Sequence, residues 1–244
     1  MELFRRDQYR VHSFDCDLQG KLTLPALTHF LQETAWAHSQ DLQVGYRKLL
    51  EQNRAWVLYK QVIQLDRWPA WGETIQVKTW PSGADKLFCW REFEISLAGK
   101  VIGRISSSWL VINLQTRRPV RTKDFYDLSL DYPEKIWFPD LITKKMRLNS
   151  EILVSKNIEA ELLDLDVNMH VNNACYPAWC LNFYTPQFLQ KHHLQQVEQQ
   201  FIAEAKFADQ LVVQRQKASE VSHQFVIRRD EKDIFKLILS WEKS

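Results

Sequence analysis

The order of elements repeats within this chain, and that repeat restricts its possible folds more than any other feature. Asp15-Cys-Asp17 and Asp164-Leu-Asp166 each stand at a turn leading into a helical pattern. Ser108-Trp109 near the end of one run of strands matches Ser240-Trp241 near the end of the next. The correspondence lies in the succession of short strand, polar turn, helix and meander rather than in close identity. Two units of this kind lower their exposed edge by pairing their sheets. A pocket then forms where the helices of the two halves meet the shared sheet. The expected class is α+β, with a helix on an antiparallel sheet in each half.

Local patterns fill in both halves. Tyr9 to Phe14 reads as a short strand. Thr23 suits an N-cap with Pro25 in the first turn, and Leu24, Leu27, Leu31, Ala35 and Leu42 predict a long amphipathic helix over about 24–42. Its His38 fits a packed or boundary position. Strands follow over Ala55 to Leu65, Thr74 to Trp80, Phe88 to Leu97 and Val101 to Asn113, with turns at Trp68 to Gly72, at Pro81 to Asp85 and near Gly99. Residues 115–147, interrupted by Pro119, Pro133 and Pro139, read as a connector crossing the surface. The division is therefore 1–132 and 148–244, with a linker at 133–147.

The second half opens with a strand around Ile152 to Ala160 and a polar turn over Leu162 to His170. A helix from Asn172 or Asn173 to about Phe183 and a helical piece near 187–193 come next. Alternation from Val197 to Phe207 predicts a half-buried strand with Glu204 on the face opposite Phe201. Leu211 to Lys217, His223 to Arg228 and Ile234 to Trp241 complete the second meander.

Composition narrows the partners. Hydrophobic residues at 45% and charged residues at 25% suit a soluble protein with a sizeable core, and a net charge of +2 argues against dedicated nucleic-acid binding. Arg117-Arg118, Arg121, Lys123 and Lys144-Lys145-Arg147 are either a local patch for an acidic partner or solvated connector residues. Cys16, Cys89, Cys175 and Cys180 form no CxxC pair, which fits a reduced chain. No apolar run nears the roughly 18 residues of a membrane span, and the N-terminus carries no signal-peptide core. The expected location is the cytoplasm.

The chemistry concentrates in Asp164-Leu-Asp-Val-Asn-Met-His-Val-Asn-Asn173. Short polar side chains at this density are costly to bury unless they bond one another or a ligand. Asn168 can donate through its amide, and His170 can donate from one ring nitrogen while accepting at the other. Asp166 can orient either group, and a helix starting near Asn172 presents unpaired N–H groups. Together they can bind a carbonyl and stabilise its oxyanion, with Glu204 as a base if its strand approaches. On the residues alone a hydrogen-bonded loop and helix cap remains equally open. Cys175 is a possible nucleophile, but its apolar neighbours favour packing. The sequence carries no Walker loop, GxSxG elbow, GxGxxG fingerprint or HExxH pair, and neither a metal nor a cofactor is expected.

This stretch, with Tyr176 and Trp179 after it, resembles the signature of the plant and bacterial acyl-acyl carrier protein thioesterases. The resemblance extends over nearly the whole chain, including Tyr9 to Leu42 and Glu198-Gln-Gln-Phe-Ile-Ala-Glu204. It implies a tandem double hot-dog fold, each half a long helix wrapped by an antiparallel sheet, that hydrolyses fatty acyl thioesters on acyl carrier protein. The catalytic set it implies is Asp166, Asn168, His170 and Glu204. Plant members commonly have cysteine after the glutamate, where this chain has Ala205, so water activated by Glu204 is the implied route. The resemblance further implies an acyl tunnel in the N-terminal half, with Leu27, Phe30, Leu31 and Thr34 as lining, and Asn172 and Asn173 at the substrate. A bacterial-type member is expected from the lack of a plastid-like leader. An acyl-coenzyme A thioesterase and a non-catalytic acyl-thioester-binding module are the alternatives, and a homodimer is left open.

Overall fold

Thr23 begins the first helix as its side chain dictates: its hydroxyl accepts from the Ala26 N–H at 3.3 Å, and α1 runs Leu24–Asp41. The computed structural model describes residues 2–127, 129, 131–132 and 136–243. Pro133, expected at a turn, and the linker's first residues 133–135 lie outside the described residues. The buried side of α1 carries Leu24, Leu27, Leu31, Thr34, Ala35 and His38. Shorter helices follow at Tyr46–Glu51 (α2), Pro139–Thr143 (α3), Cys175–Leu181 (α4) and Pro186–Lys191 (α5).

Strands of the first half are β1 (Arg5–Arg10), β2 (Arg54–Leu65), β3 (Thr74–Ala84), β4 (Phe88–Leu97) and β5 (Lys100–Asn113). Those of the second are β6 (Ile152–Glu159), β7 (His192–Phe201), β8 (Gln210–Gln216), β9 (Ser222–Arg229) and β10 (Lys232–Lys243). Among the described residues they form one 10-stranded sheet, in the order β1-β3-β4-β5-β2-β7-β10-β9-β8-β6. Read inward from each edge, the two halves have the same order. They join where β2 pairs antiparallel with β7, Lys60 opposite Gln200 and Gln64 opposite Gln196, so the edge of each half is satisfied by the other.

The duplication extends into the loops. Leu22 N–H donates to Pro69 O at 2.8 Å, and Val171 N–H donates to Ala205 O at 2.9 Å. Gly72 N–H reaches Val11 O at 2.9 Å, and Ala208 N–H reaches Ala160 O at 2.9 Å. Gly72 and Ala208 both take left-handed backbone, with φ of 85° and 63°. The same turn is thus built twice, once with the residue that favours it and once without.

Four expectations need correction. Among the described residues the second half has no long helix: α4 spans 7 residues, and it cannot run on into α5, because Thr185 caps that helix with Pro186 in its first turn and the residue before a proline is pushed away from helical backbone. β1 begins and ends earlier than expected, since Ser13–Asp15 closes into a 3-10 turn. Pro81 lies within β3 rather than in a turn. β1 pairs with β3 no further along than Thr79, which leaves the Pro81 nitrogen without a ladder position to fill. The connector also does more than cross the surface. Ile142 and Met146 are buried, and the Lys60 ammonium donates to the carbonyls of Leu141 and Lys144, the latter at 2.8 Å.

On the other face of the sheet a single core joins the halves. Leu27 and Leu31 of α1, Tyr176, Trp179 and Cys180 of α4, and Ile63, Phe93, Phe225, Phe235 and Leu237 of the sheet belong to it. The helices α1 and α4 touch. Burying side chains of this size is worth about 1.5–3 kcal/mol each, so the joint between the halves is a core interface.

Candidate active site

The polar turn before α4 is built by its own aspartates. Glu161 N–H donates to Asp164 Oδ2 at 2.8 Å and starts a 3-10 turn. Asp166 Oδ1 then accepts from the backbone N–H of Asn168 at 2.8 Å and of His170 at 3.4 Å. The Asn168 amide donates to Asp166 Oδ2 at 3.4 Å. Asp166 N–H closes the loop on His170 O at 2.8 Å, with Met169 at φ 61°. Asp166 therefore fixes the backbone on both sides of Asn168 and sets where His170 stands.

Glu204 arrives from elsewhere. It was expected on a continuing strand, but β7 ends at Phe201 and Glu204 lies in the following loop. Three bonds define that loop: Val171 N–H to Ala205 O, Ala205 N–H to the Tyr176 hydroxyl at 2.9 Å, and Arg229 Nη1 to Glu204 O at 3.2 Å. They bring Glu204 Oε2 to 3.3 Å from His170 Nε2, both groups being partly exposed. Oε2 also accepts from the guanidinium of Arg117, which belongs to the turn after β5 in the other half. Asp166, Asn168, His170 and Glu204 thus share one neighbourhood.

From the sequence Arg117 reads as part of a basic patch or as a solvated connector residue, and Arg229 carries no role. The glutamate and Arg117 are 87 residues apart, and no local spacing marks such a pair. Asn172 closes the turn before α4 rather than capping it: its Oδ1 accepts from Ala174 N–H at 2.9 Å, and Ala174 is the N-cap residue of a helix that begins at Cys175. Asn173 is half-buried beside it. Cys175 is a poor nucleophile, because burial and the neighbouring Asp164 push its thiol up to about 12. Among the described residues no cluster of three or more histidine, cysteine or acidic side chains has metal-binding geometry.

The expected acyl-binding residues sit on α1. Leu27 and Leu31 are buried in the shared core with Tyr176 and Trp179. Phe30 stacks on Tyr9 with ring centroids 4.5 Å apart. The Thr34 hydroxyl donates to Phe30 O at 2.9 Å and lies 2.8 Å from the Tyr9 hydroxyl. This is an apolar wall with one polar pair in it, on the same side of the sheet as α4.

The structure is a duplicated α+β sheet with the Asp166–Glu204 polar group beside its joint. Residues 2–128 match the acyl-ACP thioesterase N-terminal domain and residues 149–243 match the acyl-ACP thioesterase C-terminal domain. The chain belongs to the acyl-ACP thioesterase family. It is 24% identical over 206 residues to an oleoyl-acyl carrier protein thioesterase of Arabidopsis thaliana, covering 78% of this chain and 56% of the relative. It is 27% identical over 202 residues to a palmitoyl-acyl carrier protein thioesterase of Cuphea hookeriana, covering 78% and 49%. The chain spans about half the length of the curated relatives it matches.

Solved structures agree along the whole chain. An acyl-ACP thioesterase from Bacteroides thetaiotaomicron superposes with a TM-score of 0.88 at 27% identity, covering 98% of both chains. The 12:0-ACP thioesterase of Umbellularia californica superposes with a TM-score of 0.85 at 20% identity, covering 100% and 99%, and supports the fold alone.

Proposed function

We propose that the protein hydrolyses the thioester of a fatty acyl group carried on acyl carrier protein, releasing the free fatty acid in the cytoplasm. The observation that carries this reading is the approach of His170 Nε2 and Glu204 Oε2 to 3.3 Å beside the Asp166–Asn168 turn. Four free cysteines suit the reducing compartment. Among the described residues no helix is long and apolar enough to cross a membrane. The fold is read as a tandem double hot-dog, 1–132 and 148–244 being the two units and 133–147 the link.

In this mechanism Glu204 orients a water and takes its proton, with the Asn168 amide holding the same water. The oxygen adds to the thioester carbonyl, and His170 with a neighbouring backbone N–H stabilises the oxyanion. The carbonyl re-forms as the C–S bond breaks, and the proton held at the Glu204 carboxyl passes to the departing thiolate. Asp166 keeps Asn168 and His170 in place. The acyl chain runs along Leu27, Phe30, Leu31 and Thr34, while Asn172 and Asn173 border the thioester. Release of free thiol from acyl-carrier and acyl-coenzyme A thioesters of several chain lengths tests the reading. Preference for coenzyme A would replace the carrier, and binding without release would make this a non-catalytic module.

A further inference from the structure

We propose that Arg117 is a positioning residue for this reaction, contributed by the N-terminal half to a site whose proposed catalytic groups come from the C-terminal half. The proposal rests on the hydrolytic reading of Glu204. Arg117 occupies a turn with little freedom. Asn113 Oδ1 accepts from the N–H groups of Gln115 at 3.1 Å and Thr116 at 2.8 Å. Arg117 N–H donates to Asn113 O at 2.8 Å, and Asn113 N–H donates to Arg118 O at 2.9 Å. Arg117 itself has φ of 57°, a left-handed conformation uncommon for a side chain of this size. The turn aims a guanidinium across the joint, and Nη2 donates to Glu204 Oε2.

Glu204 needs such a partner because it stands in a loop, held at its backbone by Arg229 and by the Ala205–Tyr176 bond. None of these contacts fixes its side-chain torsions. Arg117 and His170 both approach Oε2, so the carboxylate is pinned at one oxygen, and in the proposed mechanism the other takes the water's proton. A planar guanidinium sets direction as well as charge, which an ammonium cannot do equally well. Misplacing a reacting group by about 1 Å can cost on the order of 100-fold in rate.

The test uses the full chain with the carrier thioester it turns over fastest. Arg117→Ala lowers kcat by roughly 10- to 100-fold with KM within about twofold, and Arg117→Lys recovers part of the loss. In a Glu204→Gln background Arg117→Ala has no further effect on kcat, because Arg117 acts through that carboxylate. Unchanged kcat in Arg117→Ala, or an equal loss in the Glu204→Gln background, would each overturn the proposal. A wild type that releases thiol from no thioester would remove the hydrolytic reading, and Arg117's role with it. Wild-type turnover beside an unaffected Arg117→Ala would remove only that role.

Discussion

Trp68 occupies in the N-terminal half the position that Glu204 occupies in the C-terminal half. Each immediately precedes the residue whose carbonyl accepts the N–H that follows the polar turn: Pro69 from Leu22 at 2.8 Å, and Ala205 from Val171 at 2.9 Å. The turns correspond as well, Asp17, Gln19 and Lys21 standing where the second half has Asp166, Asn168 and His170. Asp17 Oδ1 accepts from Gln19 N–H at 2.8 Å and Lys21 N–H at 3.0 Å, the same scaffold without the same chemistry. In place of a base, Trp68 donates its indole N–H to Leu194 O at 2.6 Å, and Gln19 donates to Leu189 O at 2.6 Å. The scaffold was duplicated, one copy holds the proposed catalytic groups, and the other fastens the halves together.

Trp68→Phe removes the bond to Leu194 O and leaves most of the ring contact. It should lower stability by about 0.5–1.5 kcal/mol, the usual net worth of one hydrogen bond, with kcat unchanged. Urea denaturation followed by fluorescence measures the first quantity and thiol release the second. A loss of turnover at full stability would contradict the assignment of Trp68 to fastening.

Stability should carry an unusual pH signature. Burial, with a smaller contribution from Arg91, lowers His38 to about 4 from 6.5, and burial with Arg215 lowers His223 likewise. Between those limits the unfolded chain binds more protons, so both histidines make stability rise with pH. Glu92 behaves oppositely. Burial raises it from 4.5 to about 7, the folded chain binds the extra proton across that window, and stability falls with pH. Glu92→Gln should therefore gain on wild type as pH rises from 4.5 to 8, by on the order of 2–3 kcal/mol. Denaturation across that range measures it, and a constant difference would contradict the account.

Chain-length selection follows from the wall on α1. Leu31 is 1% exposed in the shared core, and on the proposed path of the acyl chain Leu31→Phe takes up room that the chain would use. Each lost methylene contact is worth about 0.8 kcal/mol, close to fourfold in kcat/KM. The variant should move the preferred substrate to shorter chains in a competition among carrier thioesters. An unchanged product spectrum would place the acyl chain elsewhere.

How much was legible in the sequence varied with the range of the interaction. α1 was readable because Thr23, Pro25 and the three-to-four spacing of leucines all act within a few residues. The polar turn was readable because Asp166 bonds its own near neighbours. Alternation from Val197 to Phe207 suggested one long strand, yet loop bonds to Val171, Tyr176 and Arg229 stop it at Phe201. Those partners lie tens of residues away and leave no local pattern. Arg117 is the extreme case: it read as a surface charge, and only pairing of β2 with β7 brings its turn against Glu204.

The most direct test compares thiol release from acyl-carrier thioesters by wild type, Glu204→Gln and His170→Ala. The account predicts turnover by wild type and a fall in kcat of about 10²- to 10⁴-fold in each variant, the range for losing a general acid or base, with folding intact. Full-rate hydrolysis by both variants, or a wild type that leaves every carrier thioester intact, would contradict it.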